Sequence, residues 1–125
     1  MKPCMPLMLL ACLCLALAAC GAGGGQSVPL PAVPVDAPHL AAGGLAFDRS
    51  KISLPAGKSF ALVFENREGV PHNVALYDGA GHPVFEGDVF GGPGMRVYQV
   101  PALAPGRYAF RCSVHPDMHG TALAG

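Results

Sequence analysis

The chain has 125 residues, of which 51% are hydrophobic and 13% charged. Eight Lys and Arg balance eight Asp and Glu, with no basic cluster, which argues against nucleic acid as a partner. The length allows one folded domain rather than two, and four of the five cysteines (Cys4, Cys12, Cys14, Cys20) crowd the first 20 residues, so Cys112 has no partner for a stapling disulfide.

The apolar average is uneven, because 17 of the first 20 residues are hydrophobic. One positive charge at Lys2 precedes an apolar run from Leu7 to Ala19. A membrane-spanning helix needs about 20 apolar residues, so this shorter run suits a secretory signal. It ends Leu17-Ala18-Ala19-Cys20-Gly21, which resembles a bacterial lipobox. The resemblance implies cleavage before Cys20 and lipid attached to Cys20, so that residues 1–19 are a signal peptide and the membrane is reached through that lipid.

Residues 20–43 are rich in glycine and proline, including Gly23-Gly24-Gly25 and Pro29, Pro31, Pro34 and Pro38. Such a segment favours extended, semi-stiff backbone and reads as a tether. An alternative is an edge strand through Val33 and Val35. His39 falls in or beside the tether and is expected to be solvated.

Residues 44–125 read as the folding unit. Glycine and proline cut it into pieces of strand length. Strands are predicted at Leu45–Phe47, Lys51–Leu54, Phe60–Glu65, His72–Tyr77, Val84–Phe85, Arg96–Val100 and Arg107–Cys112. Turns fall at Pro55-Ala56-Gly57, Asp78–Pro83 and Ala104-Pro105-Gly106. Period-2 alternation groups Ile52 with Leu54, then Phe60, Leu62 and Phe64, then Tyr108, Phe110 and Cys112. No helical stripe appears. The expected fold is all-β, a small antiparallel Greek-key β-sandwich. The short tail Thr121–Gly125 is expected to make a weak last strand, and Gly91–Gly94 a mobile loop carrying Met95.

Cys112, His115 and Met118 place a thiol, an imidazole and a thioether within seven residues, and His72 lies forty positions upstream. Two His and one Cys with a weak axial Met is a blue-copper donor set. Zinc is the chemical rival, yet structural zinc sites use four strong ligands and a thioether is a poor one. A Cys nucleophile with a His base is a second rival, but a Met cannot orient an imidazole. Met95 is a weaker candidate for the axial position. His82, in its Gly/Pro turn, and His119 are expected to be exposed, and Arg111 and Ser113 to serve packing or solvation.

The chain is similar to the cupredoxins, the plastocyanin and azurin family of blue-copper proteins. The likeness lies in Phe64-Glu65-Asn66 running into Pro71-His72-Asn73-Val74, in Pro105–Cys112, and in His115, Met118, Gly120 and Thr121. Its short Cys-x2-His-Pro-x-Met loop resembles the amicyanin type. The resemblance implies one copper ion, cycling between Cu(I) and Cu(II), on His72, Cys112, His115 and Met118. It implies that Asn73 pins the two ligand-bearing loops and that its backbone N–H bonds the Cys112 sulfur.

Four protein ligands leave no position for a substrate, so the chain is not expected to be an enzyme. The leading expectation is a lipid-anchored electron carrier outside the cytoplasm, periplasm-facing or at the cell surface. Its partners would be transient redox proteins, such as an oxidase, a c-type cytochrome or a dehydrogenase, docking at the edge of His115 beside Pro116. The domain is expected to be monomeric. The alternative is an extracytoplasmic protein that stores or delivers copper.

Overall fold

A computed structural model describes residues 32–125. The expected signal peptide, the expected lipidation site Cys20 and the first part of the expected tether lie outside the described residues. Among the described residues nine strands form: β1 (His39–Gly43), β2 (Ala46–Phe47), β3 (Lys51–Leu54), β4 (Phe60–Asn66), β5 (Ala75–Tyr77), β6 (Pro83–Glu86), β7 (Gly94–Val100), β8 (Gly106–Arg111) and β9 (His119–Ala124). No helix occurs among the described residues. One sheet has the order β2-β1-β4-β7 and the other β3-β9-β8-β5-β6.

Alternation builds the core as expected. Phe60, Leu62 and Phe64 on β4 and Tyr108 and Phe110 on β8 are buried, and Ile52 and Leu54 on β3 join the same cluster. The faces meet through aromatic edges, with Phe47 edge-on to Phe64 at 6.3 Å and to Phe110 at 5.2 Å between ring centroids. Such edge contacts favour the rings' opposed quadrupoles over a flat sandwich.

Three expectations are corrected. Residues 39–43 are not tether but strand β1, paired parallel to β4 from His39↔Val63 to Ala42↔Asn66. Leu40, Ala41 and Ala42 are fully buried, so this segment belongs to the folding unit. Val33 and Val35 are exposed and lie outside any strand. The sandwich is mixed rather than wholly antiparallel, because β3 also pairs parallel to β9. The last strand is paired on both edges rather than weakly placed: β9 lies between β3 and β8, Ala122 is fully buried, and the Gly125 N–H donates to Leu54 O at 3.1 Å.

The β1–β2 hairpin turns in two residues, Gly44 and Leu45, with φ of 61° and 57°. Two positive φ values make the turn whose twist suits a hairpin. Glycine takes that conformation freely, whereas for leucine it is strained by about 1–2 kcal/mol.

Candidate metal centre

The site sits at one end of the sandwich, where two loops meet. The first joins β4 to β5. Its shape is set by Asn66, a fully buried residue at the end of β4. The Asn66 Nδ2 donates to Val70 O at 2.8 Å and to Phe90 O at 2.9 Å, and its Oδ1 accepts the Glu68 N–H at 3.0 Å. A reciprocal pair of backbone bonds between His72 and Phe90, each 3.1 Å, then fixes His72. The second loop runs from Cys112 to Met118 between β8 and β9. The pairing Arg111↔His119 closes its base. The Cys112 N–H donates to Met118 O at 3.0 Å, and the Met118 N–H to His115 O at 2.9 Å.

These loops bring His72, Cys112 and His115 together, with their ligand atoms all within 4.8 Å of one another. Cys112 Sγ is 3.7 Å from His72 Nδ1 and 3.6 Å from His115 Nδ1. A thiolate at about 2.3 Å and an imidazole at about 2.05 Å from a shared ion stand roughly 3.6 Å apart in tetrahedral geometry and roughly 3.8 Å apart in trigonal geometry. The observed separations therefore suit donors around a common centre. His72 is wholly buried, Cys112 is 1% exposed and Met118 3%, while His115 is partly exposed.

Asn73 ties the loops to each other. Its Oδ1 accepts the Ser113 N–H at 2.7 Å, and its Nδ2 donates to Ser113 Oγ and Gly87 O, both at 2.9 Å. Ser113 in turn donates its hydroxyl to Glu86 at 2.9 Å. Ser113 thus links the ligand loop to β6 rather than merely being solvated. The expected bond from the Asn73 backbone N–H to Cys112 Sγ is not among the hydrogen bonds of the described residues; the sulfur's polar neighbours there are the two ring nitrogens. Arg111 is exposed and lies over the Tyr77 ring at 4.5 Å.

Met95 is not on a mobile loop. It is part of β7, opposite Glu65, with 56% of its surface exposed. The preceding Gly92 is held by a 3.0 Å bond from its N–H to Glu68 O. His82 and His119 are exposed, as expected, and His39 is half-exposed on β1, 4.0 Å from Glu65.

Sequence reasoning did not single out Glu68. Its Oε1 lies 2.7 Å from His72 Nε2 and also accepts the Leu45 N–H at 3.0 Å. These bonds, the Leu45 N–H first and the His72 ring second, hold the Glu68 carboxyl below its ordinary range.

A nine-stranded β-sandwich with a buried His-Cys-His cluster at one end, beside a buried methionine, is a cupredoxin-type metal protein in architecture. Residues 38–124 match the family model described as a Cupredoxin-like domain, and the chain belongs to that family. It is 33% identical over 90 residues to an amicyanin-alpha from Methylorubrum extorquens, covering 70% of this chain and 71% of that protein. It is 37% identical over 81 residues to a chloroplastic plastocyanin from Pisum sativum, covering 58% of this chain but only 46% of the pea protein. Among solved structures, an auracyanin from Roseiflexus castenholzii superposes with a TM-score of 0.61 at 21% identity, over 70% of this chain and 94% of that one. The cofactor of this family's site is one copper ion, and the thiolate, imidazole and thioether donors collected here fit it.

Proposed function

We propose that the chain is a type 1 copper protein that carries single electrons between redox partners outside the cytoplasm, with His72, Cys112, His115 and Met118 as copper ligands. The observation that carries this reading is the spacing of the Cys112 sulfur from both ring nitrogens, 3.7 and 3.6 Å, inside a buried cluster. Held by these four residues, copper would supply a one-electron couple. The protein's share is to hold the donors. Asn73 locks the two loops, Asn66 shapes the first of them, and burial of His72 and Cys112 excludes water. Preformed donors lower the rearrangement that accompanies a change of charge.

His115 is the only one of the four proposed ligands that is not buried, which makes its ring edge the electron's exit. It lines a hollow of about 240 Å³ with Leu45, Val114, Pro116, Asp117 and Met118. Leu45 and Val114 are 55% and 49% exposed, an apolar rim suited to brief docking of a redox protein. Delivery of copper is the second reading. The near-complete burial of three of the four proposed ligands favours retention over release.

The same proposal takes residues 1–19 as a signal peptide, Cys20 as the lipidated residue and the segment from Cys20 to Pro38 as the tether. Mass spectrometry of the N-terminal peptide from the native host tests it, since an unmodified Cys20 would defeat the anchor.

The copper reading is tested by adding Cu(II) to the folded domain and recording its visible and EPR spectra. An intense thiolate-to-copper band that vanishes in Cys112→Ala is expected. A colourless complex with tetragonal EPR would overturn the assignment.

A further inference from the structure

The Glu68–His72 contact is unlike the rest of the site, because it sets a carboxylate against the far nitrogen of a wholly buried imidazole. The 2.7 Å separation is that of a charge-assisted hydrogen bond. A neutral imidazole has one N–H and one lone pair, and the hydrogen bond made by one nitrogen decides the role of the other. An ionised carboxylate can only accept, so a neutral ring facing it at this distance would carry its proton on Nε2. The lone pair is then on Nδ1, the atom 3.7 Å from the Cys112 sulfur.

The carboxylate is itself fixed in place. The Glu68 backbone N–H donates to Asn66 Oδ1, and its carbonyl accepts the Gly92 N–H, both at 3.0 Å. Its side-chain oxygen bonds the Leu45 N–H on the opposite hairpin. Leu45 is the residue held in the left-handed region, φ 57°, and it lines the hollow beside His115 and Met118. One oxygen atom thus ties a strained turn on the site's rim to a ring at the site's centre.

We infer that Glu68 is a positioning residue for the metal centre: its carboxylate holds His72 in the Nε2–H form, strengthens donation from Nδ1, and anchors Leu45 over the ligand loop. This inference rests on His72 being a copper ligand. A negative charge one ring away stabilises the more highly charged oxidation state more than the lower one. Glu68 therefore biases the site toward Cu(II) and lowers its potential, as hydrogen-bonded partners of ligating histidines raise ligand basicity.

The test has a metal-free arm and a copper arm, using the native chain, Glu68→Gln and Glu68→Ala. In the metal-free protein, long-range proton–nitrogen NMR correlations of the His72 ring are recorded about 2 units above the ordinary histidine pKa. The Nε2–H tautomer is expected in the native protein and in Glu68→Gln, which keeps an acceptor oxygen. A mixture of tautomers is expected in Glu68→Ala. In the copper-loaded protein, the loss of such a partner, about 10–100-fold in metal affinity, falls mainly on the more highly charged Cu(II), so Glu68→Gln should raise the Cu(I)/Cu(II) affinity ratio by about tenfold. For a one-electron couple that is about 59 mV toward higher potential.

An Nδ1–H tautomer in the native protein would overturn the inference. So would a tautomer balance unchanged in Glu68→Ala, or equal potentials in the native protein and Glu68→Gln. If Glu68→Ala does not fold, the native spectrum and the near-isosteric Glu68→Gln still decide. If no blue centre forms at all, the copper reading fails, while the metal-free spectra separately decide whether Glu68 orients His72.

Discussion

The side chains at the centre divide into those proposed to donate to copper and those that hold them in place, and substitutions should separate the two roles. Met118 is 3% exposed in the loop closed by its own carbonyl. Leucine has similar volume and should cost less than about 1.5 kcal/mol in folding. If Met118 is the weak axial donor proposed for it, Met118→Leu should keep its copper and show a higher potential by voltammetry. Complete loss of copper binding would contradict a weak axial role. Asn73→Ala acts differently. It strips the Ser113 N–H of its acceptor and leaves buried polar groups unpaired, a loss of about 1–3 kcal/mol in denaturant unfolding. Unchanged stability would mean that the two loops do not depend on this link.

At the scale of elements, the ligand loop depends on how β8 meets β9. Gly120 faces Phe110 across that ladder, and a Cβ on Gly120 would overlap the Phe110 ring, which is fully buried and cannot retreat. Gly120→Ala should therefore destabilise the fold by about 1–3 kcal/mol, measured by urea unfolding. A neutral result would show that β9 can shift. The β5–β6 turn supplies a pH test. Asp78 Oδ1 accepts the Ala80 and His82 N–H groups, each at 2.9 Å, and the bond from His82 is the main cause holding its carboxyl below the ordinary value of 3.8. A lowered folded pKa gives stability that is complete above the unfolded value and is lost as pH falls through the folded one. Asp78→Asn should accordingly flatten the acid limb below about pH 4, where unfolded aspartate titrates. An identical limb would remove this turn from the account. Most strands were legible because β3, β4 and β8 each bury one face and so alternate. Strand β1 was not. Leu40-Ala41-Ala42 is buried on both faces, shows no alternation, and is too short to read as a continuous apolar run between prolines and glycines. The three close-set ligand-type residues were legible from spacing within one loop, and His72, forty positions upstream, as the second imidazole that completes a two-His, one-Cys donor set. Glu68 was hidden because its contact with His72 exists only in the loop conformation that Asn66 imposes.

For the whole molecule, the consequence of a metal site closing one end of a small sandwich is that binding and folding are linked. The described domain has 94 residues, and its two ligand-bearing loops join β4 to β5 and β8 to β9. Copper held only when both loops are in place stabilises the folded form by mass action, about 2.7 kcal/mol at a free concentration 100 times the dissociation constant. A domain of this size moves its midpoint by about 4–8 °C for each kcal/mol. Loading with copper should thus raise the melting temperature by roughly 10–20 °C, and removal by a chelator should reverse the rise. Cys112→Ala should lose most of that gain, because the thiolate is the strongest donor in the set. Equal melting temperatures with and without the metal would mean that copper binds no better to the folded chain than to the unfolded one, and a preformed centre would then be the wrong description of the molecule.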